Sequence, residues 1–311
     1  MALASAASAQ HDYPNKPIRF IVPYPPGGST DPQARMAAQK LTERWGQPVI
    51  VDNRGGANTI IGTDAVAKAP PDGYTILLGS NALATSPALF PHLPYDTLKD
   101  FDPVATIAKS HNILVLNPSV PANTLQELIA LAKAKPGQLN YASSGVGANV
   151  HLVGELFNIV AGTKMQHVPY KGSGPALSDL IGGQVQLSFQ TPISVVAHIK
   201  SGKLKPIAVT GDKRLAALPQ VPTFAEAGLP QYDPTLGWFG IVAPAGTPRV
   251  IIDKMSSAMA AILATPDTQE FLTKQGMEPL ISTPEQMNAM IRAQIDKYAK
   301  IVKAANIKMG N

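Results

Sequence analysis

The chain alternates between short apolar runs of strand length and longer segments whose apolar residues recur at helical spacing. An apolar run at 18–24, IRFIVPY, precedes a helical segment at 32–45, and a strand-like run at 48–53 precedes a helical segment at 58–69. A further strand-like run occupies 74–80. This βαβαβ order predicts a parallel sheet with helices on both faces.

The alternation begins again with an apolar run at 111–117, HNILVLN. The helical segment after it carries Thr124 and Glu127 at the spacing of a capping box. Four more strand-like runs and three more helical segments follow as far as Thr210. We expect these elements to form a second α/β unit.

The segment after the second unit has too few strand-like runs for a domain of its own, so we expect it to return to the first unit. The predicted organisation is a tail at 1–12, a first lobe of 13–110 and 232–311, and a second lobe of 111–231. Two chain crossings would form a hinge. We therefore predict an α/β fold of two lobes that closes on a ligand in the cleft between them.

Composition narrows the classes of ligand. The chain has 311 residues, 45% of them hydrophobic, and a net charge of +5 without any run of Lys or Arg. This argues against a nucleic-acid partner and is compatible with a small anionic ligand. The absence of cysteine excludes disulfides, thiolate catalysis and cysteine-ligated metals.

The N-terminal tail indicates in which cellular compartment the protein acts. Ala7, Ser8 and Ala9 precede Gln10 in the small-residue pattern of a signal-peptidase site, although the charged and apolar regions of a full signal are missing. The alternative is a disordered or cloning-derived tail. We favour export to the periplasm, and no segment approaches the roughly 20 apolar residues of a membrane span.

The stretch 21–35, IVPYPPGGSTDPQAR, joins the first strand to the first helix. Asp31 is expected to cap this helix, with Pro32 at its first position. Backbone amides and hydroxyls beside the positive end of the helix would form an anion site, although a tight turn alone would also explain the prolines and glycines. The predicted binding residues of this first elbow are Gly27, Gly28, Ser29, Thr30 and Asp31.

A second elbow at 141–151, YASSGVGANVH, repeats the arrangement of strand, serines, glycines and helix. The two elbows would face each other across the cleft, although each could be a structural turn. The predicted binding residues here are Ser143, Ser144, Gly145, Gly147, Ala148 and Asn149. Further predicted contacts are Ser80, Gln190, Thr191 and the apolar walls Tyr24, Phe189 and Trp238, each wall equally compatible with a core position.

Motif spacings disfavour other chemistries. The first elbow lacks the Lys of a phosphate P-loop, Val150 stands where a dinucleotide fingerprint needs Gly, and neither Ser143 nor Ser144 lies in a G-x-S-x-G elbow. The six histidines show no metal-binding spacing and are predicted to be surface or packed residues. Neutral donors without a nucleophile, base, metal or cofactor are typical of a carboxylate-binding protein.

The chain resembles the Bug-type solute-binding proteins of tripartite tricarboxylate transporters. The matching stretches are YPNKPIRFIVPYPPGGSTD (13–31), VDNRGGANTIIGTDAVAKAPPDGYTILLG (51–79), NYASSGVGANVHLVGELF (140–157), HVPYKGSGPALSDLIGGQV (167–185), VPTFAEAG (221–228) and WFGIVAPAGTP (238–248). The resemblance implies a monomeric, type II-like periplasmic binding protein that delivers a carboxylate to a membrane permease. It also implies that both elbows hold the carboxylate through amides, hydroxyls and ordered waters.

One departure from the family pattern concerns ligand choice. Many members carry an acidic pair where this chain has Gln190 and Thr191. An Asp suits a ligand ammonium, so neutral residues favour a dicarboxylate, with an aromatic one such as terephthalate as an alternative. Two other functions stay open at this point: a serine-dependent hydrolase or transferase using Ser143 or Ser144, and a periplasmic sensor that presents its ligand to a signalling receptor.

Overall fold

The computed structural model describes residues 13–27, 30–232, 234 and 237–307. Contacts divide these residues into two compact units. The first unit comprises 13–109, 238–273 and 278–296, and the second comprises 110–237, 274–277 and 297–307, within the described residues.

The strands and helices alternate along most of the chain. The strands are β1 (Ile18–Val22), β2 (Val49–Asn53), β3 (Thr75–Ser80), β4 (Phe101–Ser110), β5 (Ile113–Leu116), β6 (Asn140–Ser143), β7 (Gln166–Pro169), β8 (Leu187–Gln190), β9 (Lys205–Val209), β10 (Gly237–Pro244) and β11 (Met277–Pro279). The helices are α1 (Asp31–Trp45), α2 (Ile60–Ala67), α3 (Asn81–Leu89), α4 (Leu125–Ala134), α5 (Asn149–Ala161), α6 (Ser173–Ile181), α7 (Pro192–Lys200), α8 (Arg249–Leu263), α9 (Pro266–Lys274) and α10 (Pro284–Ala304). None of these helices is long and apolar enough to cross a bilayer.

The sheet of the first unit has the strand order β11-β4-β10-β3-β1-β2. Strand β1 is parallel to β2 and β3, as predicted, whereas β10 is antiparallel to β3. Because β1, β2 and β3 are parallel, their carboxyl ends meet at one edge of the sheet. That edge positions the first elbow beside Asn53 and Ser80.

The sheet of the second unit has the order β7-β6-β8-β5-β9. Strand β6 is parallel to β7 and β8, so the second elbow leaves from the same edge at which β7 and β8 end. Strand β5 is antiparallel to β8 and β9, which makes the sheet mixed rather than wholly parallel.

Alternate side chains of β5 pack into hydrophobic cores on the two faces of the second sheet. Leu114 and Leu116 pack into one buried cluster with Phe157 and Phe189, whereas Ile113 and Val115 belong to another. A central strand covered on both faces is therefore apolar at every position. These four β5 residues are fully buried.

Two elements of the first unit escaped the sequence analysis. Helix α3 contains Pro87 in its interior, and β4 is a strand of ten residues that was not predicted. The C-terminal region also differs from its prediction, because Tyr232 and residues 274–277 and 297–307 lie with the second unit. Tyr232 packs against Phe224, with ring centroids 4.4 Å apart.

Candidate functional site

The first elbow begins where β1 ends and leads directly into α1. Gly27 has φ +79°, a conformation that other residues adopt only with strain, and a Cβ there would meet nothing within 4 Å. Gly27 is exposed and Thr30 is buried. Gly28 and Ser29 lie outside the described residues, so their role stays a prediction.

Asp31 does not cap the helix, contrary to the sequence prediction. Thr30 occupies the cap position and Asp31 begins the helix. The Asp31 carboxylate instead pairs with the Arg35 guanidinium, Nε to Oδ2 at 2.8 Å, and accepts a hydrogen bond from the Asn53 side chain at 3.0 Å. The Arg35 hydrogen bond lowers the pKa of Asp31, so its carboxylate is charged and already partnered.

Asn53 is a residue of the first elbow that the sequence analysis missed. Its side-chain amide donates to the Tyr24 carbonyl at 3.2 Å as well as to Asp31. It therefore ties the end of β2 to the beginning of the elbow. Asn53 could have been predicted from its position, because it ends a parallel strand next to β1.

Tyr24 and Ser80 come together at the edge of the first sheet. Their hydroxyl oxygens lie 2.7 Å apart, and the Ser80 hydroxyl also accepts the Ala82 amide at the start of α3. Tyr24 is half-buried, whereas Ser80 is buried. Burial raises the pKa of Tyr24, so its hydroxyl is a neutral donor or acceptor beside the elbow.

The loop after β2 and the first turn of α2 pack onto the first elbow, a contact that the sequence analysis also missed. A Cβ on Gly55 would stand 2.9 Å from Pro25, and one on Gly62 would stand 2.9 Å from the Pro23 Cα. Ala57, Asn58 and Thr59 all have positive φ, which is rare for three consecutive residues other than glycine. The sequence does not predict these positive φ angles, because none of the three residues is glycine.

Trp238 is a core residue rather than a wall of the site. Only 1% of its surface is exposed, and its indole Nε1 donates to the Gln294 side chain at 2.7 Å. A Cβ on Gly79 would lie 3.4 Å from the ring, so the indole packs against β3. The predicted wall is corrected accordingly.

The second elbow lies between β6 and α5 and depends on two glycines. Gly145 has φ +141° and Gly147 has φ +77°. Ala148 occupies the cap position of α5, and Asn149 is the first helical residue. The Ala148 amide donates to the Gly145 carbonyl at 3.2 Å, so an anion site here would use the amides at the start of α5 that follow it, and this site stays a prediction.

The two serines of this elbow differ in what their hydroxyls can bind. Ser143 is fully buried, and its Oγ accepts the Gly145 amide at 3.1 Å and lies 2.6 Å from His167 Nε2. Its hydroxyl therefore holds the turn, which corrects the prediction that it contacts the ligand. Ser144 is half-buried and its carbonyl accepts the Gly172 amide, and the contact of its hydroxyl with a ligand stays a prediction.

The contact between Ser143 and His167 also bears on the hydrolase alternative. A nucleophile and a base within hydrogen-bond distance are what such an enzyme needs. Ser143, however, has no exposed surface for a substrate to reach. The pair is therefore a structural contact of the turn.

His151 and His167 form a stacked pair beneath the second elbow, a cluster that spacing did not predict. Their ring centroids are 3.7 Å apart and their planes differ by 13°. His151 Nδ1 accepts the Gly147 amide at 3.0 Å. The two histidines come from different elements, His151 from α5 and His167 from β7, which pairs with β6. Among the described residues, no group of three or more His, Cys, Asp or Glu could hold a metal ion.

Phe189 belongs to the core of the second unit. It is fully buried and packs against Phe157, Phe224 and Tyr232, with ring centroids 5.9 to 6.3 Å apart. Strand alternation turns it inward, toward the face covered by α5. Its assignment as a ligand wall is corrected.

Gln190 is the last residue of β8, and Thr191 is the cap residue that precedes α7. The Gln190 side chain is 3% exposed and donates to the Ser188 hydroxyl at 2.9 Å, so it is held in place within the second unit. Thr191 is half-buried, and its hydroxyl lies 2.9 Å from the Ser194 hydroxyl. Both side chains are uncharged, and their contact with a ligand stays a prediction.

Known proteins resemble this chain along nearly its whole length. The family model of the tripartite tricarboxylate transporter family receptor matches residues 33–307. Protein BugT of Bordetella pertussis is 40% identical over 309 residues, which cover 99% of this chain and 94% of BugT.

Two solved structures share the fold. R. palustris Rpa4515 with adipate has a TM-score of 0.84 and 37% identity, covering 95% of this chain and 99% of that one. MatC from Rhodopseudomonas palustris with bound malate has a TM-score of 0.79 and 30% identity, covering 93% of this chain and 100% of that one. The chain is therefore a solute-binding receptor rather than an enzyme, and it belongs to the tripartite tricarboxylate transporter receptor family.

Proposed function

We propose that this receptor captures a small dicarboxylate in the periplasm and delivers it to the membrane permease subunits of a tripartite transporter. The observation that carries the proposal is the pair of elbows, each of which follows the carboxyl end of a parallel strand and leads into the start of a helix. Two relatives of the same fold were solved with dicarboxylates, adipate and malate, which supports the same class of ligand here. We further propose that the receptor acts as a monomer.

The free energies of binding favour a ligand that contacts both elbows. A helix terminus contributes at most about 2 kcal/mol to binding an anion, whereas micromolar affinity requires about 8 kcal/mol. Charge-assisted hydrogen bonds from several amides and hydroxyls supply part of the difference. We therefore propose that both elbows bind the same dicarboxylate.

The charges at the elbows favour a ligand without an ammonium group. The Asp31 carboxylate is engaged by Arg35 and Asn53, and Gln190 and Thr191 are neutral. Among these three residues, no unpaired carboxylate is left to bind a ligand ammonium. Malate and adipate should bind more tightly than aspartate and glutamate.

The corrected core positions favour an aliphatic ligand over an aromatic one. Phe189 and Trp238 were two of the three predicted aromatic walls, and both are buried within their own units. Tyr24 remains as the half-buried aromatic candidate. We therefore propose an aliphatic diacid, with terephthalate as the comparison ligand.

A thermal-shift screen tests this proposal. Ligands that bind only the folded state raise its apparent melting temperature. Malate, succinate and adipate should give larger shifts than acetate, aspartate, glutamate and terephthalate. Larger shifts with the two amino acids would contradict the uncharged-centre ligand, and no shift with any carboxylate would contradict the function.

A further inference from the structure

The second elbow rests on a pair of stacked imidazoles contributed by different elements. His151 comes from the first turn of α5 and His167 from β7, and their rings are nearly parallel at a centroid distance of 3.7 Å. The Tyr141 ring of β6 lies 5.1 Å from His167. His151 is buried and His167 is half-buried.

Each imidazole forms a hydrogen bond at one end of the second elbow. His167 Nε2 lies 2.6 Å from the Ser143 hydroxyl, where β6 ends, and His151 Nδ1 accepts the amide of Gly147, immediately before the α5 cap. Between these two points the Ser143 hydroxyl also accepts the Gly145 amide. The pair thus fixes both ends of the loop that presents Ser144 and the helix amides.

The bond to Gly147 determines the protonation of His151. A backbone amide only donates, so His151 Nδ1 must be unprotonated and the neutral ring must carry its proton on Nε2. Nε2 lies 4.0 Å from the Glu155 carboxylate. The turn therefore requires one neutral tautomer of His151.

The surroundings keep this ring neutral. Burial, and then the neighbouring His167, lowers the pKa of His151 to about 3, and burial lowers the pKa of His167 to about 4. The titratable groups facing the pair are Tyr141 from β6 and Glu155 from α5, which hydrogen-bond each other. Burial raises the pKa of Glu155, which weakens the one carboxylate that would favour an imidazolium.

We propose that His151 and His167 are positioning residues for the carboxylate, a neutral stacked pair that holds the second elbow in its binding conformation. This inference rests on the proposed function, because it assigns the affinity for a dicarboxylate to the geometry of that elbow. Neither histidine needs to touch the ligand. Removing the acceptor at His151 should release the Gly147 amide and loosen the loop.

Two substitutions at His151 separate positioning from packing. His151→Leu keeps the volume but removes the acceptor, and should weaken malate binding about tenfold, as loss of one buried hydrogen bond implies. His151→Asn places an amide oxygen near the position of Nδ1 and should restore affinity to within about threefold, or roughly half the hydrogen-bond contribution. His92→Leu removes an exposed histidine of the first unit and should bind malate like the original protein.

Calorimetric titration with malate measures these affinities, and calorimetric melting reports folding of each variant. Equal malate affinity in His151→Leu and the original protein would overturn the inference while leaving the proposed function intact. So would equal weakening in the Leu and Asn variants, because that is the result of lost packing.

An NMR measurement keeps the inference testable if His151→Leu does not fold. Long-range proton–nitrogen correlation spectra of the original protein distinguish the two neutral imidazole tautomers and the imidazolium. The inference predicts a His151 ring with its proton on Nε2 at pH 6. A proton on Nδ1, or an imidazolium, would overturn it. Failure of the original protein to bind any carboxylate would instead overturn the proposed function, and the spectrum would still decide whether His151 holds Gly147.

Discussion

Two adjacent serines of the second elbow are chemically alike but differ in their hydrogen bonds. The Ser143 hydroxyl bonds to Gly145 and His167 and is fully buried, whereas Ser144 is half-buried. Ser143 therefore shapes the turn, and Ser144 stays the predicted contact for a carboxylate. Ser143 is the last residue of β6, whereas Ser144 lies in the turn that follows it.

Ser144→Ala tests this assignment. If the hydroxyl donates to a carboxylate, its loss should weaken dicarboxylate binding by about 1 to 3 kcal/mol. Ser178→Ala, at an exposed position on α6, is the matched control and should leave affinity unchanged. A titration in which both variants bind like the original protein would remove Ser144 from the site.

Gly27→Ala tests the backbone of the first elbow. Since a Cβ there meets nothing within 4 Å, any effect comes from φ +79° rather than from a clash. Holding alanine in this conformation costs about 1 to 2 kcal/mol, and we expect this cost to weaken dicarboxylate binding because the elbow no longer keeps its binding geometry without strain. Gly174→Ala in α6, which also has open space but no positive φ, should be neutral or slightly stabilising. Equal behaviour of the two variants would contradict the strained geometry of the elbow.

Whole elements were largely predictable because their signals are local. The α4 capping box formed at Thr124, whose hydroxyl accepts the Glu127 amide, although the Glu127 carboxylate reaches the Asn123 amide. The elbows were predictable as turns because glycine, proline and helix starts are written in neighbouring residues. Helix α3 was missed because Pro87 interrupts its pattern.

Contacts between elements were not predictable from these local signals. The histidine pair depends on His151 and His167 meeting across α5 and β7, and Tyr24 meets Ser80 only because β1 pairs with β3. The burial of Phe189 likewise depends on aromatic rings distant in sequence. Alternation along a strand assigns two faces but does not say which face will be covered.

The stacked histidines should make folding sensitive to acid. Their pKa values of about 3 and 4 lie below the ordinary value of 6.5, so the unfolded chain binds more protons than the folded one between these values. Stability contributed by the neutral pair should be present above about pH 6.5 and should be lost progressively as the pH falls toward 4. Melting temperatures at pH 7.5 and 5.0 should differ more in the original protein than in a His151→Leu, His167→Leu double variant. An equal pH dependence in the two proteins would contradict the lowered pKa values.

At the scale of the whole molecule, two α/β units each supply one elbow at the carboxyl edge of a parallel strand set. Each elbow leads into a helix start, a feature that suits reversible binding of an anion. Membership of the receptor family agrees with that chemistry.

The most direct test of the central claim is a calorimetric titration of the original protein, Gly27→Ala and Ser144→Ala with the dicarboxylate that gives the largest thermal shift. We predict one ligand per chain, and we predict that each substitution weakens this single binding event. Two ligands per chain, with each substitution removing a different one, would contradict the claim that both elbows bind the same dicarboxylate molecule.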